Sequence, residues 1–297
     1  MKQGYLIILA GYISWGLFPL YWSLLIHVAP LEVFMHRMLW SVPVLMLLVV
    51  ISERRLNQVK TSIRRWQELR WLLVSGLLIS VNWGIYIWAV ANHRVVEASM
   101  GYFLSPLMNV ITGVLLFREK LTRLNMIAIG FATAGVIFYI VSTSSFPWVG
   151  ILVAVSFSAY GAMRKKMTTN AVPGLFIETL LLLPFTLMVI AWLHHNDTAM
   201  FLNHRWDTDF WLILGGPVTI IPLALFTAGA RLLPMTTVGI LFYVTPTLQF
   251  LSGIYVLGED FDTSKMIGFV GIWIGLAIFS YSLIRQEKAQ AAEPQVR

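Results

Sequence analysis

Two charged positions stand out because they occupy stretches that are otherwise built for hydrocarbon. Glu178 lies five residues into the apolar run 173–193, and Arg37, beside His36, lies about six residues into 31–51. Ionisable groups at such depths are costly and are functional candidates by default. A buried carboxyl group that is protonated or partnered in one state can couple solute movement to a proton gradient. A buried guanidinium with a neighbouring imidazole can attract or gate a solute. The structural alternatives are that Arg37 snorkels to the surface and that Glu178 hydrogen-bonds within its bundle. A second group of polar and aromatic side chains recurs at one depth. Taking a rise of about 1.5 Å per residue, Trp15, Asn82, Trp83, Tyr86, Tyr102, Ser105, Asn109, Tyr243 and Gln249 fall near the middle of apolar runs. Together they would line a central cavity for a flat or aromatic, weakly polar organic solute. Pro106 and Pro246 sit in the same layer, where each frees a carbonyl one turn earlier and makes a hinge.

The elements that must carry these residues follow from composition. Of 297 residues, 58% are hydrophobic and only 12% charged, and the mean hydropathy is +0.76. A soluble domain holds about 25% charged residues. The charges are also segregated: none falls in 3–31, 71–93, 98–117, 124–163, 210–230, 232–258 or 266–284. Crossing about 30 Å of hydrocarbon takes roughly 20 such residues, and the backbone there must satisfy itself as helix. The run 124–163 is too long for one crossing and is cut by Ser142-Thr-Ser-Ser-Phe-Pro147, a turn-forming cluster. The reading is an all-α integral membrane protein of ten transmembrane helices. They cover roughly 4–26, 31–51, 71–91, 97–117, 124–142, 147–164, 173–193, 209–230, 236–257 and 264–284. The first run is too long for a signal-peptide core and lacks a small-residue cleavage site, so it is read as a retained span.

The net charge of +7 is explained by topology. With the N-terminus inside, 17 of the 21 Lys and Arg fall in inner segments, three (Arg94, Arg205, Lys265) in outer ones, and Arg37 within a span. That bias is the positive-inside rule for ten helices with both termini cytoplasmic, and it leaves no excess charge for nucleic acid.

One passage is written twice. Ser105-Pro106, Asn109 and Glu119 recur as Thr245-Pro246, Gln249 and Glu259, with the amide three residues and the glutamate thirteen residues after the proline. Trp15-Gly16 is echoed by Tyr160-Gly161, Pro30 by Pro173 and Gly135 by Gly275. A repeat from helix 4 to helix 9 implies two five-helix halves, 1–142 and 143–285, followed by a cytoplasmic tail at 286–297. Five is odd, so the second half enters the bilayer inverted, an arrangement suited to alternating access. Glu119 and Glu259 lie at helix ends, where they cap or tether the hairpins between helices 4–5 and 9–10. Gly271-x-x-x-Gly275 allows close helix packing, within the chain or between protomers.

Further motifs carry a resemblance. They are His36-Arg37-x-x-Trp40-Ser41, Asn82-Trp83-x-x-Tyr86-x-Trp88-Ala89-Val90, Glu97-Ala98-Ser99-x-Gly101-Tyr102-Phe103-x-x-Pro106-Leu107, Arg164-Lys165-Lys166, Ile177-Glu178-Thr179 with Pro184, and Tyr243-x-x-Pro246-Thr247-Leu248. Over nearly the whole chain the sequence resembles an EamA-type member of the drug/metabolite transporter superfamily, and more narrowly its RarD-type group, labelled chloramphenicol-sensitive or permease-like. The resemblance implies ten helices in two inverted repeats and a multi-pass location in a bacterial inner membrane. Arg118 departs from the family, which usually has glycine before the glutamate, so a tight glycine turn is not expected there.

The expected function is secondary active transport: export of small organic metabolites or drugs such as chloramphenicol-like compounds, by alternating access, with protons as the coupling ion. The alternatives are a facilitative permease without ion coupling and a non-transporting sensor or scaffold. An enzyme is not expected, because the spans hold no HExxH, no Gly-x-Ser-x-Gly and no metal-spaced carboxylate–histidine pair. His194-His195 with Asp197 is a weak cluster at a helix end. No cofactor, no metal and, with no cysteine in the chain, no disulfide is expected. The partners are a small-molecule substrate, membrane lipids and protons, not nucleic acid, for a monomer or homodimer.

Overall fold

The computed structural model describes residues 2–118, 121–203, 205–233 and 235–292, and among these the ordered elements are all helical. Nine stretches are long and apolar enough to cross a membrane. They are Lys2–Ser23, formed by α1 (Lys2–Gly16) and α2 (Phe18–Ser23); α3 (Pro30–Val50); α5 (Trp66–Ala91); α6 (Val95–Phe117); and α7 (Arg123–Thr143). In the second half they are α9 (Ala171–His195), α10 (Trp206–Ala230), the pair α11 (Met235–Leu241) and α12 (Val244–Tyr255), and α13 (Thr263–Ala292). A further long helix, α8 (Trp148–Lys165), falls where a tenth span was expected. Its last turn holds Arg164 and Lys165, which dilute its apolar character. One helix was not expected: α4 (Glu53–Ile63) lies in the basic segment after α3, its buried Val59 packs with Val172 and Leu175 of α9, and its Ser62 hydroxyl bonds that of Thr169 just before α9. At the other end, α13 runs through the start of the expected 286–297 tail as far as Ala292.

Local chemistry sets the helix ends. Pro30 sits in the first turn of α3, where its missing N–H is no loss. Thr122 caps α7 by accepting the Asn125 N–H at 3.2 Å. The α6 helix closes on Arg118 in the left-handed conformation, φ +56°. The equivalent turn after α12 uses Gly258, φ +68°. The expectation that Arg118 avoids the glycine-type turn is therefore wrong. The backbone keeps the turn although the residue has a Cβ, which costs about 1–2 kcal/mol.

Large apolar side chains cover the outside of the bundle; Leu47, Leu115, Val141 and Met188 are all more than 60% exposed. In water such a belt is untenable, whereas lipid accepts it. Inside, helices approach through small residues. A Cβ on Gly135 of α7 would stand 2.5 Å from the Gly268 carbonyl of α13, and one on Gly275 would stand 2.6 Å from the Ala128 carbonyl. The Gly271–Gly275 stripe thus serves packing within the chain. The α6–α8 contact is as close, since a Cβ on Gly101 would lie 2.3 Å from the Gly150 carbonyl.

With α8 counted beside the nine stretches, the helix pairings repeat under a shift of five along the chain. The α1–α10, α1–α12 and α3–α10 contacts are matched by α8–α5, α8–α6 and α9–α5. The α3–α9, α6–α12 and α7–α13 contacts map onto themselves.

Two substitutions test these backbone constraints in thermal melts of the detergent-purified protein. Gly135→Ala should destabilise by about 1–3 kcal/mol, because backbone rather than a flexible side chain blocks the new methyl. Arg118→Gly should stabilise by about 1 kcal/mol by relieving the left-handed turn.

Candidate functional site

Arg37 is the centre of the first cluster. It is 3% exposed, so it does not snorkel. Its guanidinium carbon lies 4.2 Å from the Trp83 ring centroid, 5.2 Å from Trp22 and 5.7 Å from Phe18. These are cation–π distances. Its Nε and Nη1 have no hydrogen-bond acceptor among the described residues. The phenols of Tyr21, Tyr86 and Tyr102 lie within electrostatic reach of its charge. Tyr86 packs against Tyr102 at 5.7 Å between centroids, and its hydroxyl, like Trp22 Nε1, is buried without a partner. His36 points elsewhere: Trp40 Nε1 donates to its Nδ1 at 3.2 Å, and its ring packs tilted against Phe201, 4.4 Å between centroids.

Asn82 and Tyr102 connect this cluster to α8. The Asn82 amide donates to the Val153 carbonyl at 3.0 Å and Ser156 Oγ at 3.1 Å, and accepts from the Tyr102 hydroxyl at 3.3 Å. Ser105 donates only to the Gly101 carbonyl of its own helix, at 2.9 Å. Of the expected cavity residues, Trp83, Tyr86, Tyr102 and Asn82 therefore gather around or beside Arg37.

The remaining residues of that set lie elsewhere. Trp15 packs on Tyr12 and Phe226. Its carbonyl, left free because Pro19 four residues on has no N–H, accepts the Gln249 amide at 3.2 Å. Gln249 Oε1 is buried and unpartnered. Asn109 is exposed on α6 and faces Gly161. Tyr243 lines a separate cavity of about 320 Å³ with Phe103, Thr247, Trp273 and Ser280. The two prolines also differ. Pro106 sits inside an uninterrupted α6, whereas Pro246 lies in the first turn of α12, just after the break that separates it from α11.

Glu178 forms the second centre. It is 1% exposed and pairs with Arg164 at the end of α8, Nη1 to Oε1 3.2 Å. Ser75 donates to it at 2.5 Å and Tyr160 at 3.4 Å. The Arg164 Nη2 donates to the carbonyls of Thr169 and Asn170 at 3.0 and 2.9 Å. Gly174 makes room for this guanidinium, since a Cβ there would stand 2.1 Å from Nη1. Glu68 grips the same loop, accepting the N–H groups of Thr168 and Thr169, both at 3.1 Å. Sequence reasoning marked Glu178 but missed Arg164, whose position at a span end reads as ordinary inner-side charge. The signal was a glycine one turn before the buried carboxylate.

At the opposite end of the bundle three more carboxylates hold backbone amides. Glu32 accepts from Met200 and Phe201, each at 2.9 Å. Glu97 accepts from Val149 at 2.8 Å and pairs with Arg94 at 2.6 Å. Glu259 accepts from Val95 and Val96 at 2.5 and 2.8 Å. Burial pushes the Glu259 carboxyl above the ordinary carboxylate range, and the Val96 and Val95 amides pull it back. Its expected role as a tether of its own hairpin is corrected: it holds the start of α6 instead. Glu119, its counterpart in the repeat, lies outside the described residues. Among the described residues no cluster of three or more metal-ligating side chains occurs.

Comparison with known proteins gives a concordant result. The model of the EamA-like transporter family matches twice, over residues 2–141 and 146–281. The chain is similar to an uncharacterized transporter of Pseudomonas aeruginosa, 38% identical over 96% of this chain and 95% of the relative. It is also similar to the protein RarD of Escherichia coli, 36% identical over 97% of each chain. One solved crystal structure, 18% identical, superposes with a TM-score of 0.58 over 93% of this chain and 96% of the other, a likeness of fold.

The Arg164–Glu178 pair generates a stability prediction. Arg164→Met leaves a buried carboxylate uncompensated and should cost about 3–5 kcal/mol. The double variant Arg164→Met/Glu178→Leu should recover most of that loss. Melting of the four proteins of this cycle decides it; equal loss in the single and double variants would show that the pair is not the stabilising unit.

Proposed function

Because the chain belongs to the EamA-like transporter family and to its RarD-type group, a multi-pass transporter of the bacterial inner membrane, we propose that it is a secondary carrier exporting small organic metabolites or drugs by alternating access. The proposed topology has ten spans, α8 included, with both termini cytoplasmic. Its halves, 1–142 and 143–285, are inverted repeats, so the Glu178 end of the bundle is cytoplasmic and the Glu32–Glu97–Glu259 end is external. The observation that carries this reading is the recurrence of helix pairings under a shift of five spans. Two halves with equivalent surfaces and opposite orientation can exchange conformations at little energetic cost.

In this scheme the solute passes between the α1–α12 and α8–α6 pairs, beside Arg37, Trp83, Tyr86, Tyr102 and Asn82. Glu178 is the coupling group. When Arg164 withdraws from it with the loop at 168–170, the carboxylate is left in an apolar setting and takes up a proton. The buried Arg164–Glu178 contact also favours a second reading, a facilitative permease, in which Arg164 neutralises Glu178 permanently and no proton is moved.

Intracellular accumulation of labelled chloramphenicol, in cells with and without the protein, tests the export reading. Accumulation should be lower with the protein and return to the control level when the proton gradient is collapsed. The Glu178→Gln protein should lose uphill export while retaining downhill exchange. If Glu178→Gln still drives solute uphill on protons, the coupling role is wrong. If collapsing the gradient changes nothing, the permease reading stands.

A further inference from the structure

Among the described residues, four carboxylates lie deep in this bundle or hold backbone amides at its outer end, and all are engaged. Glu32 and Glu259 hold backbone amides, Glu97 holds Val149 and Arg94, and Glu178 holds Ser75, Tyr160 and Arg164. None is left for Arg37, whose guanidinium is flanked instead by the rings of Trp83, Trp22 and Phe18. Those rings stabilise a cation through their faces but accept no in-plane hydrogen bond. The orphaned polar atoms here are all able to donate: Arg37 Nε and Nη1, Trp22 Nε1 and the Tyr86 hydroxyl. They come from three different spans, and each residue is at most 3% exposed. Buried polar groups are nearly always satisfied, and a lone buried charge costs several kcal/mol. A cluster of unsatisfied donors around one uncompensated positive charge has the chemistry of an oxyanion receptor.

Resting on the carrier reading, we propose that Arg37, with Trp22 and Tyr86, binds the carboxylate of the transported solute. The substrates are then small organic acids with a flat apolar group that lies against the aromatic rings. A single positive charge matches a single carboxylate, and the guanidinium fork suits its two oxygens. A doubly charged phosphate would need a second cation, but Arg164 is occupied by Glu178 and the loop carbonyls. Amino acids carry an ammonium group as well, for which no carboxylate is free among the described residues in the bundle and the unpartnered Gln249 Oε1 is a neutral acceptor only. Cationic solutes are repelled by Arg37, and neutral ones, chloramphenicol included, leave its charge unmet and so bind more weakly than an acid of similar shape.

The test uses the purified full-length protein, with thermal stabilisation and the summed fluorescence of its 12 tryptophans, Trp22 and Trp83 among them, as readouts. The probes are benzoate and 3-phenylpropionate, the neutral 3-phenylpropionamide, the cationic 3-phenylpropylamine, and phenylalanine. At least one of the two acids should bind, with the amide, amine and amino acid at least about tenfold weaker, the range expected for one charge-assisted hydrogen bond. Arg37→Lys keeps the charge but loses the fork and should weaken acid binding by about 10- to 100-fold. Tyr86→Phe removes one donor with little change of shape, so it tests the site even if the Arg37 variant fails to fold. The proposal is overturned if neither acid binds, if the amide binds as tightly as the acid, or if Tyr86→Phe and a folded Arg37→Lys both keep wild-type affinity. Vesicles reconstituted with the protein and loaded with labelled 3-phenylpropionate separate the two readings. Arg37-dependent binding without release from the vesicles would sustain the acid site and remove the carrier. Export of chloramphenicol that is unaltered in Arg37→Lys, with no acid binding, would keep the carrier and remove the site.

Discussion

Hydrocarbon offers a carboxylate no hydrogen bond, and the way five glutamates meet that condition organises the whole bundle. Glu32, Glu97 and Glu259 each reach across to the backbone amides of a segment 168, 52 or 163 residues away. Every such contact couples the start of one helix to an element distant in sequence, so the charges act as cross-ties at one end of the molecule. At the other end Glu178 and Glu68, through Arg164 and Thr169, do the same for the loop between α8 and α9. A hydrogen bond to a charged group is worth about 1.5–3 kcal/mol. Because desolvation opposes it, the result is specificity of helix arrangement more than net stability. Small residues then let the backbones close up. The contact between α7 and α13 is made of glycine and alanine against bare carbonyls, where dispersion rather than hydrophobic expulsion holds helices together in lipid.

Much of this was readable from the chain alone, for a physical reason: in a bilayer, charge and turn residues are confined to the ends of spans. The gaps between charges and the Ser142–Pro147 cluster therefore locate the helices to within a few residues. The helix α4 escaped notice because its apolar positions are embedded in a charged connection, where amphipathic periodicity is masked by the surrounding arginines. Arg37 and Glu178 announced themselves as charges out of place. Their neighbours did not, because partnership depends on packing. Arg164 looks like one more inner-side cation, and only the tight fit of its guanidinium against Gly174 reveals where it points.

Which of the residues expected at one depth meet one another was less legible, for a related reason. Equal depth presumes straight helices, and the α1–α2 and α11–α12 spans are interrupted after Gly16 and Leu241. An interruption can rotate the faces that follow it, so spacing counted along the sequence does not by itself say which side chains meet. The Gln249 amide donates to the Trp15 carbonyl beside one such break, while its Oε1 is left unpartnered. Tyr243, at the other break, lines a cavity with Phe103 and Trp273, whereas Tyr102 donates to Asn82.

The two interruptions fall in helices that touch each other. The α1–α2 and α11–α12 spans are broken and packed together, while α8 and α6, the spans paired with them by the five-helix shift, are unbroken and packed together. On the inverted-repeat reading, one sequence pattern is therefore held in two shapes within the same molecule, bent on one side and straight on the other. The single structure is then a record of both postures of each gate. Trading the shapes between the pairs outlines the opposite-facing molecule from geometries already present, with the residues flanking Gly16 and Leu241 as the joints that flex.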